Sequence, residues 1–130
     1  MITGVGIDIV EIARVGRALR NPRFAERLFT AAEREQLVCH PRPECWAAGR
    51  FAAKEAVAKA LGCGLAGCPP GDVEILPGEK GAPAARLLGE TARRYPDIRL
   101  WVSISHNQTD AVAQAVAERS ERHDPDSDAR

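Results

Sequence analysis

Apolar and polar residues alternate over residues 2–9 and again over residues 99–107, and this alternation is typical of β-strands. The first segment places Val5, Ile7 and Ile9 on one face and Gly4, Gly6 and Asp8 on the other. We expect the apolar face to lie in a core. The bare face indicates close approach by a ligand or by another backbone, with a bulge or a helix-capping Asp8 as the alternative.

Helical patterns and capping signals occupy the chain between these segments. The predicted helices cover about residues 10–20, 24–29, 31–38 and 43–61. Thr30 and Glu33 have the spacing of a capping box, and Pro43 suits the first turn of the longest helix. Gly62 ends that helix, in a loop rich in glycine and proline.

The second half is mostly strands. Residues 72–76 and 84–88 predict two strands around a turn, residues 90–95 a short helix, and residues 99–107 and 111–118 a closing hairpin. The predicted fold class is α+β, with a small antiparallel sheet packed on the long helix. One domain is expected over residues 1–119, followed by a disordered polar tail over residues 120–130.

The composition is that of a soluble globular protein, with 45% apolar and 28% charged residues and no net charge. No apolar run approaches the roughly 20 residues of a membrane-spanning helix, and no basic segment precedes the first strand. We therefore expect a cytoplasmic protein.

The cysteines Cys39, Cys45, Cys63 and Cys68 lack the spacing of zinc knuckles, so free thiols are expected.

Five arginines and a single acid lie between residues 14 and 27. The arginines are Arg14, Arg17, Arg20, Arg23 and Arg27. Such a local patch on a neutral protein indicates an acidic partner surface or phosphates, and the alternative is a solvated helix face. Neutral charge and the lack of interleaved aromatic residues argue against nucleic-acid binding.

The stretch RFAAKEAVAKALGCG, residues 50–64, places Glu55 and Lys59 one turn apart on an alanine-rich helix. They form either an ordinary ion pair or a carboxylate and an ammonium beside a ligand. Asp8 and Glu55 together have the donors for one Mg²⁺ ion, although spacing does not show that they meet. The loop at Gly62 has room for a bulky anion near the backbone.

Two hydroxyls and an imidazole lie at the end of the strand over residues 99–107, in the segment SISH. No G-x-S-x-G turn accompanies them, so contact with phosphate is a better interpretation than acyl transfer. Taken alone, His106 is a turn residue.

Several segments together carry a family resemblance. They are GVGIDIVEI, RFAERLFTAAE, AAGRFAAKEAVAKALGCG, KGAP and VSISHN. In this order and spacing, over most of residues 1–116, they resemble the small holo-[acyl-carrier-protein] synthases, a branch of the 4′-phosphopantetheinyl transferases. The resemblance implies that fold, and transfer of 4′-phosphopantetheine from coenzyme A to a serine of an apo acyl carrier protein. Adenosine 3′,5′-bisphosphate would be the other product.

The resemblance also implies roles for individual residues. Asp8 and Glu55 would hold Mg²⁺ against the coenzyme A pyrophosphate. Glu55, directly or through a metal-bound water, would take the serine proton, and Lys59 would steady or protonate the leaving phosphate. The substrate-binding residues would be Arg14, Arg50, Gly62, Ser105 and His106.

Partners follow from the same resemblance. The arginine patch would meet an acidic carrier protein, with Arg14 carried over most readily, and the chain would form a homotrimer with sites between subunits.

Two segments depart from the family pattern. Gly81-Ala82-Pro83 lacks a basic residue before the proline, and Asn107 replaces an aspartate found after the histidine in some members. A non-catalytic coenzyme A-binding module of the same fold is the alternative.

Overall fold

The computed structural model describes residues 1–120, with the backbone alone for Leu65. Its elements are β1 (Ile2–Glu11), α1 (Ile12–Ala18), α2 (Pro22–Leu28), α3 (Ala31–Cys39), α4 (Pro43–Leu61), α5 (Gly64–Gly67), β2 (Val73–Pro77), β3 (Pro83–Leu87), α6 (Gly89–Arg94), β4 (Ile98–His106) and β5 (Asp110–Arg119). No helix in this part of the chain is long and apolar enough to cross a membrane. The predicted tail lies outside the described residues except for Ser120, whose hydroxyl donates to the Asp97 carbonyl at 3.1 Å.

Local capping residues define several helix boundaries. Thr30 Oγ1 accepts from the Glu33 backbone N–H at 3.2 Å, and Glu33 Oε1 accepts from the Thr30 N–H at 2.8 Å, which completes the predicted capping box. Gly62 ends α4 in the left-handed region, at φ 79°. The first helix starts at Ile12 instead of about residue 10, because β1 continues to pair with β5 as far as Glu11.

All strand pairs are antiparallel and form two sheets within the described residues, one with the order β1-β5-β4 and the other a β2-β3 hairpin. The predicted α+β class with an antiparallel sheet is confirmed. The central strand β5 turns a row of buried alanines toward α4. They are Ala111, Ala113, Ala115 and Ala117, each at most 1% exposed.

The glycines of β1 allow its backbone to approach the backbone of α4. A Cβ on Gly4 would lie 1.9 Å from the Ala60 carbonyl oxygen, and one on Gly6 would lie 2.0 Å from that of Ala56. Both separations are far below a van der Waals contact, so only glycine fits at either position. The bare face of this strand therefore meets another backbone.

The predicted core position of the other β1 face is wrong. Val5, Ile7 and Ile9 are 61%, 64% and 67% exposed. Because α4 occupies the glycine side of the sheet, the alternate residues must point away from it. Val5 also pairs with Val116, which pairs with Trp101 on β4, so one apolar row crosses the whole outer face.

A buried ion pair joins α4 to the β2-β3 hairpin. The Lys54 ammonium donates to Glu33 Oε1 at 2.8 Å, to the Pro70 carbonyl at 2.8 Å and to the Val73 carbonyl, and both charged side chains are 0% exposed. Glu33 Oε2 accepts from the Ile75 N–H at 2.9 Å. Burial lowers the pKa of Lys54, and the Glu33 carboxylate opposes that shift. Lys54 is thus a structural residue and does not share a charged stripe with Glu55.

Gly6→Ala is expected to lower the free energy of unfolding by about 3 kcal/mol, the upper end of the usual cost of overpacking, because the new methyl group meets backbone that cannot move aside. Chemical denaturation measures this. Gly71→Ala is the matched control, since its Cβ meets nothing within 4 Å and its φ is not positive. We expect that variant to stay within about 0.5 kcal/mol of the wild type. Equal stability of the two variants would contradict the close approach.

Candidate active site

The close contact between β1 and α4 brings three charged residues together. Asp8 is on the same face of β1 as Gly4 and Gly6, so it points toward α4. The Lys59 ammonium donates to Asp8 Oδ1 at 3.1 Å and to the Ile7 carbonyl at 2.9 Å. The Glu55 carboxyl lies within hydrogen-bonding reach of Asp8. Lys59 therefore forms its ion pair with Asp8 on the neighbouring strand, and not with Glu55 one turn away on the same helix.

The two carboxyl groups are poorly compensated. Asp8 Oδ2 is buried and, with both acids ionised, receives no hydrogen bond from the described residues. Burial, followed by the hydrogen bond and charge of Asp8, raises the pKa of Glu55 to about 7, while Lys59 opposes the rise. The Lys59 side chain is 53% exposed, so solvent weakens its attraction for both acids. This site consequently holds an excess of negative charge.

The donors suit a hard divalent cation. An unpartnered carboxylate oxygen on Asp8 beside a second carboxylate is the kind of ligand that Mg²⁺ prefers. No third histidine, cysteine, aspartate or glutamate joins them to make a denser cluster among residues 1–120. Mg²⁺ commonly takes one or two protein carboxylates, with water and substrate oxygens as its remaining ligands, so Asp8 and Glu55 fit this ion.

A cavity of about 620 Å³ opens beside these carboxylates. Arg14 lines it on one side, and Phe24 and Phe51 line it on another, with ring centroids 6.4 Å apart. Asp110 also lines it, because the β1-β5 register places this residue opposite Glu11. Sequence reasoning missed Asp110 and Phe24, since neither lies in a recognisable pattern with Asp8. The cavity can therefore receive a ligand that is both charged and partly apolar.

The other predicted site residues lie elsewhere on the chain. None of Arg50, Gly62, Ser105 and His106 lines this cavity within the described residues. The Arg50 guanidinium lies 4.9 Å from the centre of the Trp46 ring, while Gly62 is exposed at the end of α4. Ser105 and His106 are exposed on β4, which β5 separates from β1. A larger cavity of about 910 Å³, between β3 and β4, contains none of the predicted site residues.

The raised pKa of Glu55 predicts a pH-dependent stability of the metal-free protein. Folded protein retains a proton that the unfolded chain releases near pH 4.5, so the free energy of unfolding should fall as the pH rises to about 7. We expect a fall of about 1 kcal/mol, because solvent screens this half-buried group. Denaturation in EDTA at about pH 5 and about pH 8 measures it. Glu55→Gln should remove this component and Glu90→Gln, at an exposed position, should keep it; an unchanged slope in Glu55→Gln would contradict the assignment.

Comparison with known proteins identifies the family. The family model described as 4′-phosphopantetheinyl transferase superfamily matches residues 4–123. A holo-[acyl-carrier-protein] synthase of Alkaliphilus metalliredigens is 46% identical over 121 residues, which are 90% of this chain and 99% of that protein.

Two solved structures are similar throughout. The holo-(acyl-carrier-protein) synthase of Bacillus anthracis, in complex with CoA (3′,5′-ADP), has a TM-score of 0.79 and 36% identity over 92% of this chain and 99% of its own. The holo-[acyl-carrier-protein] synthase of Helicobacter pylori, in complex with coenzyme A, has a TM-score of 0.78 and 33% identity. The match covers 88% of this chain and 99% of that protein. The chain that brings Asp8, Glu55 and Lys59 together thus belongs to the holo-[acyl-carrier-protein] synthase family of the 4′-phosphopantetheinyl transferase superfamily.

Proposed function

We propose that this protein transfers the 4′-phosphopantetheine group of coenzyme A to a serine of an apo acyl carrier protein, in a Mg²⁺-dependent reaction that releases adenosine 3′,5′-bisphosphate. The observation that carries this proposal is the meeting of Asp8, Glu55 and Lys59 beside a cavity, in a chain of this family. Coenzyme A in the related solved structures supports the choice of donor.

In the proposed reaction the serine oxygen forms a bond to the phosphorus that carries pantetheine. The bond from that phosphorus to the bridging oxygen breaks, and adenosine 3′,5′-bisphosphate leaves. Asp8 and Glu55 would hold Mg²⁺, and the bound ion would neutralise the charge of the pyrophosphate as a Lewis acid. Positioning and electrostatic stabilisation account for most of the catalysis of phosphoryl transfer. The contribution of Asp8, Glu55 and Lys59 therefore depends mainly on their arrangement around the substrate.

Two side chains have roles in proton and charge transfer. Glu55 takes the serine proton, because it is a half-buried carboxylate that lines the cavity and the amide of Asn107 cannot accept a proton at neutral pH. Lys59 is 53% exposed while it contacts Asp8, so its ammonium is free to reach a phosphate oxygen as well. It stabilises the negative charge that develops on the leaving group.

The arginine patch is proposed as the docking surface for the carrier protein. All five arginines, from Arg14 to Arg27, are exposed. Arg14 also lines the cavity, so one edge of the patch reaches the carboxylates. An acidic carrier surface docked there would present its serine near Glu55. The patch therefore selects carrier proteins by their acidic surface and not by the pathway to which they belong.

We further propose that the chain forms a homotrimer in which neighbouring subunits complete each site. The outer face of the three-stranded sheet exposes Val5, Ile7 and Ile9 by more than 60% each, and Trp101 by 48%. Burying such a contiguous apolar surface favours association. Arg50, Ser105 and His106 do not line the Asp8 cavity of their own chain. In the proposed trimer these residues of one subunit contact the substrate held in the cavity of its neighbour.

Asp8→Asn and Glu55→Gln are each expected to reduce carrier modification at least about 100-fold, because each removes one of two carboxylates that neutralise and position the substrate. Mass spectrometry of an apo carrier incubated with coenzyme A and Mg²⁺ measures this, with an EDTA control. Glu90→Gln should retain wild-type activity. Full activity of either site variant would contradict the assignment, and coenzyme A binding without transfer by the wild type would favour the non-catalytic module.

Val5→Lys is expected to reduce the assembled mass of the protein, because it places a charge in the apolar row of the outer sheet face. Sedimentation equilibrium measures the mass. Val38→Lys is the control, since Val38 is 83% exposed on α3, away from that face. We expect wild type and Val38→Lys to sediment as trimers; a monomeric wild type would contradict the assembly.

A further inference from the structure

Two thiols lie at the two ends of a single helical turn that follows α4. Cys63 precedes α5 and Cys68 follows it, and the structure records both as free thiols. The Cys68 backbone N–H donates to the Gly64 carbonyl at 3.0 Å, which closes the turn. Cys63 Cβ lies 3.2 Å from where a Cβ on Gly67 would be, so the absence of a side chain at Gly67 makes room for Cys63. The turn therefore folds Cys63 back toward Cys68.

The two thiol side chains are neighbours across this turn. The Cys63 and Cys68 side chains are within hydrogen-bonding reach of each other, and burial together with this neighbour raises the pKa of Cys68 to about 11. Cys68 is 0% exposed in the core, whereas Cys63 is only partly buried. An oxidant from solvent therefore meets Cys63 first, and Cys68 is the adjacent thiol that can react with the product.

We propose that Cys63 and Cys68 are a redox modification site at which a peroxide closes a reversible intramolecular disulfide. Hydrogen peroxide oxidises the Cys63 sulfur to a sulfenic acid and releases one water. The Cys68 sulfur then attacks that sulfur, the S–S bond forms, and the hydroxyl of the sulfenic acid leaves with the Cys68 proton as a second water. Two thiols and one peroxide thus give one disulfide and two waters, and a thiol reductant restores the pair.

The disulfide has a path to the site of the proposed transferase, and this part of the proposal rests on that function. In the reduced state Cys63 Sγ donates to the Ala58 carbonyl at 3.7 Å, and the Gly62 N–H donates to the Lys59 carbonyl at 3.0 Å. Turning Cys63 toward Cys68 removes the first of these contacts from the last turn of α4. That turn carries Lys59, whose ammonium holds Asp8. Oxidation is therefore expected to slow transfer at least threefold.

The other two cysteines are not part of this pair. Cys45 is buried in a separate cluster of core residues, with Trp46 and Phe29. Cys39 is exposed at the end of α3 and could cross-link two molecules, so the test uses the full chain with Cys39→Ser. This leaves Cys63 as the more exposed member of the pair in the protein under test.

The test begins with the chemistry. The Cys39→Ser protein is treated with hydrogen peroxide, alkylated after denaturation and digested with trypsin, which leaves both thiols in the single peptide of residues 60–80. A disulfide makes this peptide lighter by two hydrogens and resistant to alkylation until it is reduced. Adding Cys63→Ser, at a partly exposed position, should prevent this change without loss of the fold. A peptide that stays fully alkylated, or that carries only sulfinic acid, would overturn the proposal.

The second measurement addresses the path to Lys59. Carrier modification is followed before oxidation, after it, and after reduction, with the Cys39→Ser/Cys63→Ser protein as the control for damage elsewhere. A loss of at least threefold that reduction reverses, and that the control does not show, is the expected result. A disulfide that leaves the transfer rate unchanged would overturn the coupling. The peptide mass does not depend on activity, so an inactive wild type would count against the proposed function alone.

Discussion

The contact between the backbones of β1 and α4 is the constraint on which the rest of the structure depends. Gly4 and Gly6 have no side chain, so the strand lies directly on the carbonyl groups of Ala56 and Ala60. This closeness brings Asp8 within reach of Lys59 and Glu55, which side chains of ordinary size would keep apart. The same contact turns the large aliphatic residues of β1 outward. One packing choice therefore produces both the charged cavity and the apolar outer face.

Elements with local signals could be predicted from the sequence, and the orientation of β1 could not. The capping box at Thr30, the proline at position 43 and the glycine at position 62 each act within a few residues, so they define α3 and α4 without knowledge of the fold. Alternation along β1 likewise predicts a strand. Which face of β1 is buried depends on the size of the side chains on the helix that packs against it. The alanines of α4 allow its backbone to come close to the glycines of β1.

The site was predictable in its residue types but not in its geometry. No spacing shows that Asp8 and Glu55 meet, since 46 intervening residues, from Ile9 to Lys54, separate them in the sequence. Lys54 and Glu55 are neighbours, yet about 100° of helix rotation separates their side chains, so one is buried and the other borders the cavity. Asp110 reaches the cavity only through the strand register. Such arrangements depend on tertiary contacts that the pattern of one sequence does not contain.

The Lys54–Glu33 pair limits the routes by which this sequence can change. Removing either partner leaves the other as an uncompensated charge in the interior, which typically costs about 3–5 kcal/mol. An apolar pair of similar volume is often as stable in a protein interior, but single substitutions reach it only through that unstable intermediate. Glu33 also accepts the Ile75 N–H, so a replacement must find another acceptor for the hairpin. Positions 33 and 54 are therefore exchanged together far more easily than one at a time, and the residue at position 33 must still accept the backbone N–H of residue 75.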